Sequence, residues 1–301
     1  MSNKMNLNGC RLIIKGGGEM ASGIAVRLYK AGLRAILILE VPAPSAVRRT
    51  VSFCEAVYDG EQQVEGIRAR RAQNREEIAA LWRQGIIAVA VDPDWELLGQ
   101  IQPHVCVDAI LAKCNMGTTL TDAPFTLGIG PGFTAGVDTH AVIETNRGHN
   151  LGRVYTEGAA QANSGIPGNI GGYTVERVLR APEEGITQTH RQIGELVRAG
   201  DVALSVGGAP VAALLDGVVR GLIRSGVSVI KGTKVGDIDP RGNAEYCYTV
   251  SEKARALGGA VLEAICAYIT NQGYNGPCPI GETLDISHSL RHKAFLIFGG
   301  S

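Results

Sequence analysis

The run from Arg11 to Glu40 constrains this chain more than any other. A short apolar stretch, Arg11 to Lys15, ends in three consecutive glycines, Gly16, Gly17 and Gly18. Met20, Ile24, Leu28 and Ala31 then recur at helical spacing, Gly32 stands at the C-cap position, and a second apolar stretch runs from Ala35 to Glu40. Strand, glycine turn, helix and strand in so short a span make a right-handed βαβ unit. The alternation continues with a helix expected over Arg75 to Gln84 and a buried strand over Ile86 to Val91, stopped by Asp92-Pro93. A short helix over Trp95 to Ile101 and a strand over Val105 to Ile110 follow. Continuous apolar strands alternating with helices imply a parallel sheet covered on both faces.

The expected fold class is α/β, with a Rossmann-like, doubly wound parallel sheet over residues 9–124. From about Pro124 the texture changes to short β-like runs separated by glycine, which predicts a mainly β second domain over residues 125–242. Inside it, residues 193–239 read as a compact hammerhead or barrel-like unit similar to biotinyl and lipoyl domains. An approximate repeat supports that unit, Val197-Arg-Ala-Gly-Asp-Val-Ala against Ile223-Arg-Ser-Gly-Val-Ser-Val. Those carriers present a lysine in a hairpin where this chain has Gly207 and Gly208, so the architecture is expected without the carrier role. A glycine-rich loop, Gly165 to Gly172, with amides suited to an oxyanion, leads to a helix expected over Thr174 to Leu179. A long amphipathic helix over residues 243–275 carries Val250, Ala254, Leu257, Val261, Ile265 and Tyr268 on one stripe and is expected to pack back on the α/β sheet. Residues 276–301 form a tail with no assignment.

Forty of 301 residues are glycine, well above the usual share of about 7% and without collagen's period. Lys plus Arg and Asp plus Glu number 29 each, which leaves no global field to draw the chain onto nucleic acid or anionic lipid. A mean hydropathy of +0.07 and the lack of a long apolar run argue against a membrane protein. The seven cysteines are odd in number and include no C-x-x-C, which favours reduced thiols. Met1 to Asn8 is polar, unlike a signal peptide. A cytoplasmic location is expected.

Gly16-x-Gly18-x-x-Ala21 between strand and helix matches the dinucleotide fingerprint. Its chemistry is a tight turn, backbone close to a diphosphate, and helix N-terminal amides facing an anion. Gly16, Gly17, Gly18, Glu19, Met20 and Ala21 are therefore expected to contact the cofactor, with Glu40 accepting a ribose hydroxyl. A carboxylate at Glu19 repels an anion unless it points away or holds a metal. Arg48 and Arg49 are placed to grip a phosphate in bidentate fashion, with Lys15 or Lys113 as a point charge. Lys113 also favours thiolate at Cys114, a candidate nucleophile or sulfur carrier. The stretch Gly128 to Glu144 is the densest polar constellation, and Gly130 and Gly132 join the expected cofactor contacts. A strand over Val137 to Glu144 would set Asp138, His140 and Glu144 on one face, either as a metal or proton-transfer site or facing water. Its spacing fits no standard zinc signature.

Six segments in order carry a family resemblance: I-I-K-G-G-G-E-M-A-S-G from Ile13, R-R-T-V-S-F-C-E-A-V-Y-D-G from Arg48, G-I-G-P-G-F-T-A-G-V-D-T-H-A-V-I-E-T from Gly128, R-G-H-N-L-G-R from Arg147, S-G-I-P-G-N-I-G-G-Y-T-V-E-R from Ser164, and D-I-D-P-R ending at Arg241. Across roughly residues 10–270 the chain resembles the accessory protein family of selenium-dependent molybdenum hydroxylases, similar in its Rossmann portion to the XdhC/CoxI accessory proteins. The resemblance implies a factor that binds a molybdopterin-type cofactor, with the dinucleotide form as one option. It would assist maturation or insertion of that cofactor into a molybdenum hydroxylase apoenzyme. Cys114 or Cys54 would then carry sulfur or selenium. The alternative is an NAD(P)-dependent oxidoreductase with His140 as acid or base, since the same glycine geometry serves NAD(P). A homo-oligomer is compatible with either.

Overall fold

The computed structural model describes residues 7–163 and 165–273. The first strand, β1 (Arg11–Lys15), sits at the centre of a nine-stranded sheet, which is why four of its five residues are buried. It is followed by α1 (Glu19–Lys30), β2 (Ala35–Glu40), α2 (Ala56–Asp59), β3 (Glu61–Val64), β4 (Ile67–Arg71), α3 (Arg75–Arg83), β5 (Ile87–Val91), α4 (Leu97–Ile101), β6 (Val105–Asp108) and β7 (Phe125–Ile129). Then come β8 (Thr134–Ala135), β9 (Ala141–Ile143), β10 (Val154–Tyr155) and β11 (Gly158–Ala159). The strand order is β10-β9-β7-β6-β1-β2-β5-β4-β3.

The expected doubly wound, Rossmann-like parallel sheet is corrected by this topology. The sheet is mixed: β9 through β4 run parallel, and an antiparallel strand, β10 or β3, closes each margin. The chain passes from β6 to β7 and from β7 to β9 through loops, with only a 3-10 turn at Leu120–Asp122, so those crossovers wind no helix over a face. The cause is legible locally, because residues 111–124 hold Asn115, Gly117, Pro124 and three threonines but no helical period. Nor does the sheet stop at residue 124, since β7, β9 and β10 extend it to Tyr155.

Val178 to Asp239 fold into two four-stranded antiparallel sheets. These are β12 (Val178–Arg180), β13 (Gly185–Thr189), β14 (Leu196–Val197), β15 (Val202–Val206), β16 (Ala209–Ala212), β17 (Gly217–Leu222), β18 (Ser228–Val229) and β19 (Lys234–Asp239), in the orders β12-β19-β17-β14 and β16-β15-β13-β18. Leu204, Val206, Val219, Leu222 and Ile238 share one buried core between them. Gly207 and Gly208 close the β15–β16 hairpin at φ +60 and +101, the left-handed pair that a two-residue turn demands. The helix expected over Thr174 to Leu179 does not form. β-Branched residues follow Gly171-Gly172, and Val178–Arg180 pairs with β19 as a strand instead. The strand expected over Val137 to Glu144 shrinks to β9, because Asp138 Oδ2 accepts from the Thr134 amide at 2.7 Å and folds the preceding residues into a turn.

The last described elements are α5 (Glu245–Tyr248) and α6 (Glu252–Gly273). Val250, Ala254, Leu257, Val261 and Ile265 are buried in the core that holds β1 and α1, each large aliphatic stabilising by about 1.5–3 kcal/mol. The α1–α6 crossing is close: a Cβ on Gly23 would lie 2.5 Å from Ala254 Cβ, and one on Gly258 2.7 Å from Arg27 Cβ. The tail, residues 276–301, lies outside the described residues. No helix among the described residues is long and apolar enough to cross a membrane.

Candidate functional site

The C-terminal ends of β1, β2, β5 and β6 open onto a cavity of about 740 Å³. Gly16 and Gly18 line it with Gly17 packed between them, and each of the three is glycine for a different reason. Gly16 takes φ +87, donates to Leu39 O at 2.8 Å, and has no room for a Cβ beside Ile110 Cα at 3.1 Å. Gly17 is pressed by the Cys54 loop, whose backbone nitrogen lies 3.0 Å from where its Cβ would be. Gly18 has φ −68 and, among the described residues, nothing within 4 Å of a built Cβ, so neither backbone nor packing asks for glycine there. It faces open space in the cavity, the placement of a residue that lets another molecule approach the backbone.

Glu40 is drawn into this turn. Its Oε1 accepts from the Gly17 amide at 2.6 Å and its Oε2 from the Val41 amide at 2.9 Å, while burial pushes its pKa up. The Gly17 amide is therefore spent on Glu40, and the first amides of α1 are left to a ligand, since among the described residues no side chain caps that helix. Glu19 lines the same cavity but is neutralised by Arg48, 3.2 Å away. Met20 also lines it, and Ala21 is buried beneath in α1. Asp92 accepts from the Glu96 and Leu97 amides at 3.0 and 2.9 Å, fixing Trp95 at the opposite wall.

Several expected phosphate ligands are corrected. Lys15 is fully buried, with Nζ 2.6 Å from Asp122 Oδ2, 2.8 Å from Thr118 Oγ1 and 3.4 Å from the Trp95 ring centroid. It pins the loop after β6 and does not reach an anion. Arg48 donates to Tyr246 O and Thr249 O as well as Glu19, and Arg49 donates to Leu222 O at 2.7 Å. Arg49 ties the β unit to the segment after β2, assisted by Arg224 on Glu55, while Arg48 ties α5 and the residue after it to Glu19 of α1. Gly130 and Gly132 serve packing, with a built Cβ 2.7 Å from Thr145 Oγ1 and 2.6 Å from Cys114 Cα.

The expected catalytic residues do not converge either. His140 Nδ1 accepts from the Thr126 amide at 3.1 Å beside Phe125, the residue that opens β7, and burial lowers its pKa. It lies at the N-terminal edge of the sheet, opposite the cavity. Asp138 is consumed by the Thr134 turn, and Glu144 accepts from the Asn146 and Gln161 amides, each at 2.7 Å. Among the described residues no group of three or more His, Cys, Asp or Glu could hold a metal ion. Cys114 is exposed, with Sγ 3.8 Å from Ala112 O, and lies off the cavity lining. Cys54 does line it, but burial, then Glu40 and Glu55, push its thiol well above the ordinary range, so it is a poor thiolate.

Sequence reasoning missed the next part of the cleft. Through Glu19 and Met20 the cavity adjoins a basic pocket of about 290 Å³, seven of whose lining residues are Lys or Arg. Through Leu111 it adjoins a smaller hollow of about 250 Å³ that shares Lys113, Arg147 and Lys253 with the basic pocket. Leu111 and Lys113 sit at φ +62 and +67, a strained conformation for such side chains. The basic residues come from separated segments, so no spacing rule gathers them. The one available signal was Arg220, an arginine inside the otherwise apolar run Val218 to Leu222.

No family model matches the chain. It is 52% identical over 254 residues to the uncharacterized protein YqeB of Escherichia coli K12, which covers 84% of this chain and 47% of that protein. The chain thus spans about half the length of the curated relative it matches. Among solved structures, an aspartoacylase family protein from Mesorhizobium loti superposes with a TM-score of 0.24 at 14% identity, covering 76% of this chain and 84% of that one. The product-bound ectoine utilization protein EutE (DoeB) from Ruegeria pomeroyi gives 0.23 at 10% identity, covering 77% and 86%. Superpositions at these scores align too little backbone to define a common fold. The resemblance to molybdenum hydroxylase accessory proteins and XdhC/CoxI is corrected by these findings: no family model carries it, and the relative's name assigns no activity.

Proposed function

We propose that this chain binds a phosphate-bearing, nucleotide-like cofactor in the cleft at the C-terminal ends of β1, β2, β5 and β6, and hands it to an apoenzyme in the cytoplasm. The molybdopterin-type dinucleotide is the candidate ligand and a molybdenum hydroxylase the candidate recipient. The observation that carries the reading is Gly18, a glycine unexplained by conformation or packing that opens on a cavity of about 740 Å³. The groups around it are binding groups: helix amides for an anion, Glu40 for a hydroxyl, and the Trp95 ring for a planar base. Glu19 does not oppose an anion, because Arg48 pairs it. Custody suits this wall better than catalysis, since the Cys54 thiol that lines it is held protonated. His140, the acid or base of the oxidoreductase alternative, stands at the far edge of the sheet.

Calorimetric titration of the full chain with ADP, NAD⁺ and molybdopterin dinucleotide tests the reading. Saturable binding is expected, tightest for the molybdopterin ligand. Gly18→Val should weaken it by about tenfold or more by filling the approach to the backbone. Equal affinity in the wild type and Gly18→Val, or no binding of any of the three, would overturn it.

A further inference from the structure

The basic pocket has a feature that the cleft does not explain. Arg220 lies in β17 among buried Val218, Val219 and Leu222, and is itself only 6% exposed. Its Nε has no hydrogen-bond partner among the described residues. Its carboxylate neighbours, Asp237 and Asp239, stand 3.8 and 3.7 Å away, at ion-pair range only. Each of them is already engaged by a better-placed arginine: Asp237 by Arg177, and Asp239 by Arg241 at 2.6 Å. A guanidinium cannot shed its charge, so burying it without hydrogen bonds costs several kcal/mol unless something outside the chain supplies acceptors.

The surroundings deepen that deficit. Against seven cationic side chains the pocket offers two carboxylates, Glu19 and Asp237. Lys113 and Lys253 make no ion pair among the described residues. Burial first, then Arg220 and Arg177, pushes the Arg147 pKa down, and burial and Arg147 do the same to Lys253. Ser251 and Lys253 bring the N-terminal turn of α6, a 22-residue helix, to the same wall. A guanidinium fork, converging ammonium groups and a helix N-terminus in a hollow of this size match a compact oxyanion carrying more than one charge.

We infer that the basic pocket is a subsite for a phosphate-class dianion, with Arg220 as a direct ligand and Arg147, Lys234 and Lys253 completing the charge. The phosphate comes either from a ligand that extends out of the cleft or from a free phosphate that sits beside it. The inference rests on the proposed function only in that the two hollows adjoin at Glu19 and Met20.

The test is calorimetric titration and thermal unfolding of the full chain with inorganic phosphate in a low-salt, phosphate-free buffer. Saturable binding and a rise in Tm are expected. Arg220→Gln should weaken binding by about tenfold or more, with Arg220→Lys restoring part of it. Without phosphate, Arg220→Gln should unfold no earlier than the wild type, because Asp237 and Asp239 keep Arg177 and Arg241. A merely structural arginine would give the opposite pair, a lower Tm with unchanged phosphate affinity. That result, or no saturable phosphate binding by the wild type, overturns the inference. If Arg220→Gln does not fold, Lys253→Gln must show the same loss of phosphate binding. Titrating phosphate in the presence of saturating ADP then assigns the source: displacement places a ligand phosphate in the pocket, and independent binding places a free one there. Because Gly18→Val is read out with ADP and Arg220→Gln with phosphate, failure at one hollow is distinguishable from failure at the other.

Discussion

Two walls of one cleft are built in opposite ways. The glycine turn is made of backbone from consecutive residues, Gly16 to Met20, and most of its polar groups are already satisfied by Leu39, Cys54, Ser22 and Glu40. The basic pocket is made of side chains from separated segments, and its central arginine is left short of acceptors. A contiguous motif therefore proves to be mainly a packing device with one open position, while the surplus of charge sits where no motif exists.

Arg48 is the residue that joins the walls, and its loss should have the largest effect. It holds Glu19 on the glycine side and lies close enough to Arg220 and Asp237 to feel their charges. Arg48→Met leaves Glu19 and the carbonyls of Tyr246 and Thr249 without their donor. The expected loss is about 3–5 kcal/mol in urea unfolding, together with weaker ADP binding as the Glu19 charge is uncovered. A stable variant with intact ADP affinity would show the two walls to be independent.

Within the turn, neighbouring glycines should separate. Gly17→Val drives its side chain into Cys54 backbone and Ile38 and should cost about 1–3 kcal/mol. Gly18→Val enters open space and should change stability by less than about 0.5 kcal/mol while affecting ligand binding. Equal destabilisation would mean that Gly18 is structural, which removes the observation on which the proposed function stands.

What was legible in the sequence follows the same division. β1, α1, β2, α3 and β5 were readable because their apolar periods are local, and Ala35–Glu40 is indeed buried along its middle. The mixed character of the sheet was not, because strand direction at the margins depends on pairings such as Glu61 with Arg70 and Val154 with Ile143, which no local period encodes. Glu40 was legible as the acidic end of β2, but its bond to the Gly17 amide depends on side-chain reach. Arg48 and Arg49 looked like phosphate ligands because their carbonyl acceptors, at Tyr246, Thr249 and Leu222, lie more than 170 residues further along the chain. Arg177, Arg220, Lys234 and Lys253 were missed for the mirror-image reason, since only folding brings them to one hollow.

The smallest expected effect sharpens the basic side. The Lys253 pKa is lowered from 10.5 by burial and then by Arg147, with Glu19 and Glu144 opposing and Lys113 lining the same hollow. Between its folded pKa and 10.5 the unfolded chain binds more protons at this lysine than the folded chain does. Stability from this group therefore rises as pH climbs through that window, and the penalty of holding it charged is fully present below it. The buried thiols of Cys54 and Cys106 titrate with the opposite sign at alkaline pH, so the wild-type curve alone mixes the two. Subtracting the Tm profile of Lys253→Met from that of the wild type cancels the cysteines. The difference should favour the variant at pH 8 and shrink toward pH 10. Bound phosphate, by pairing the ammonium group, should flatten that slope, whereas a slope indifferent to phosphate would place Lys253 outside the anion's reach.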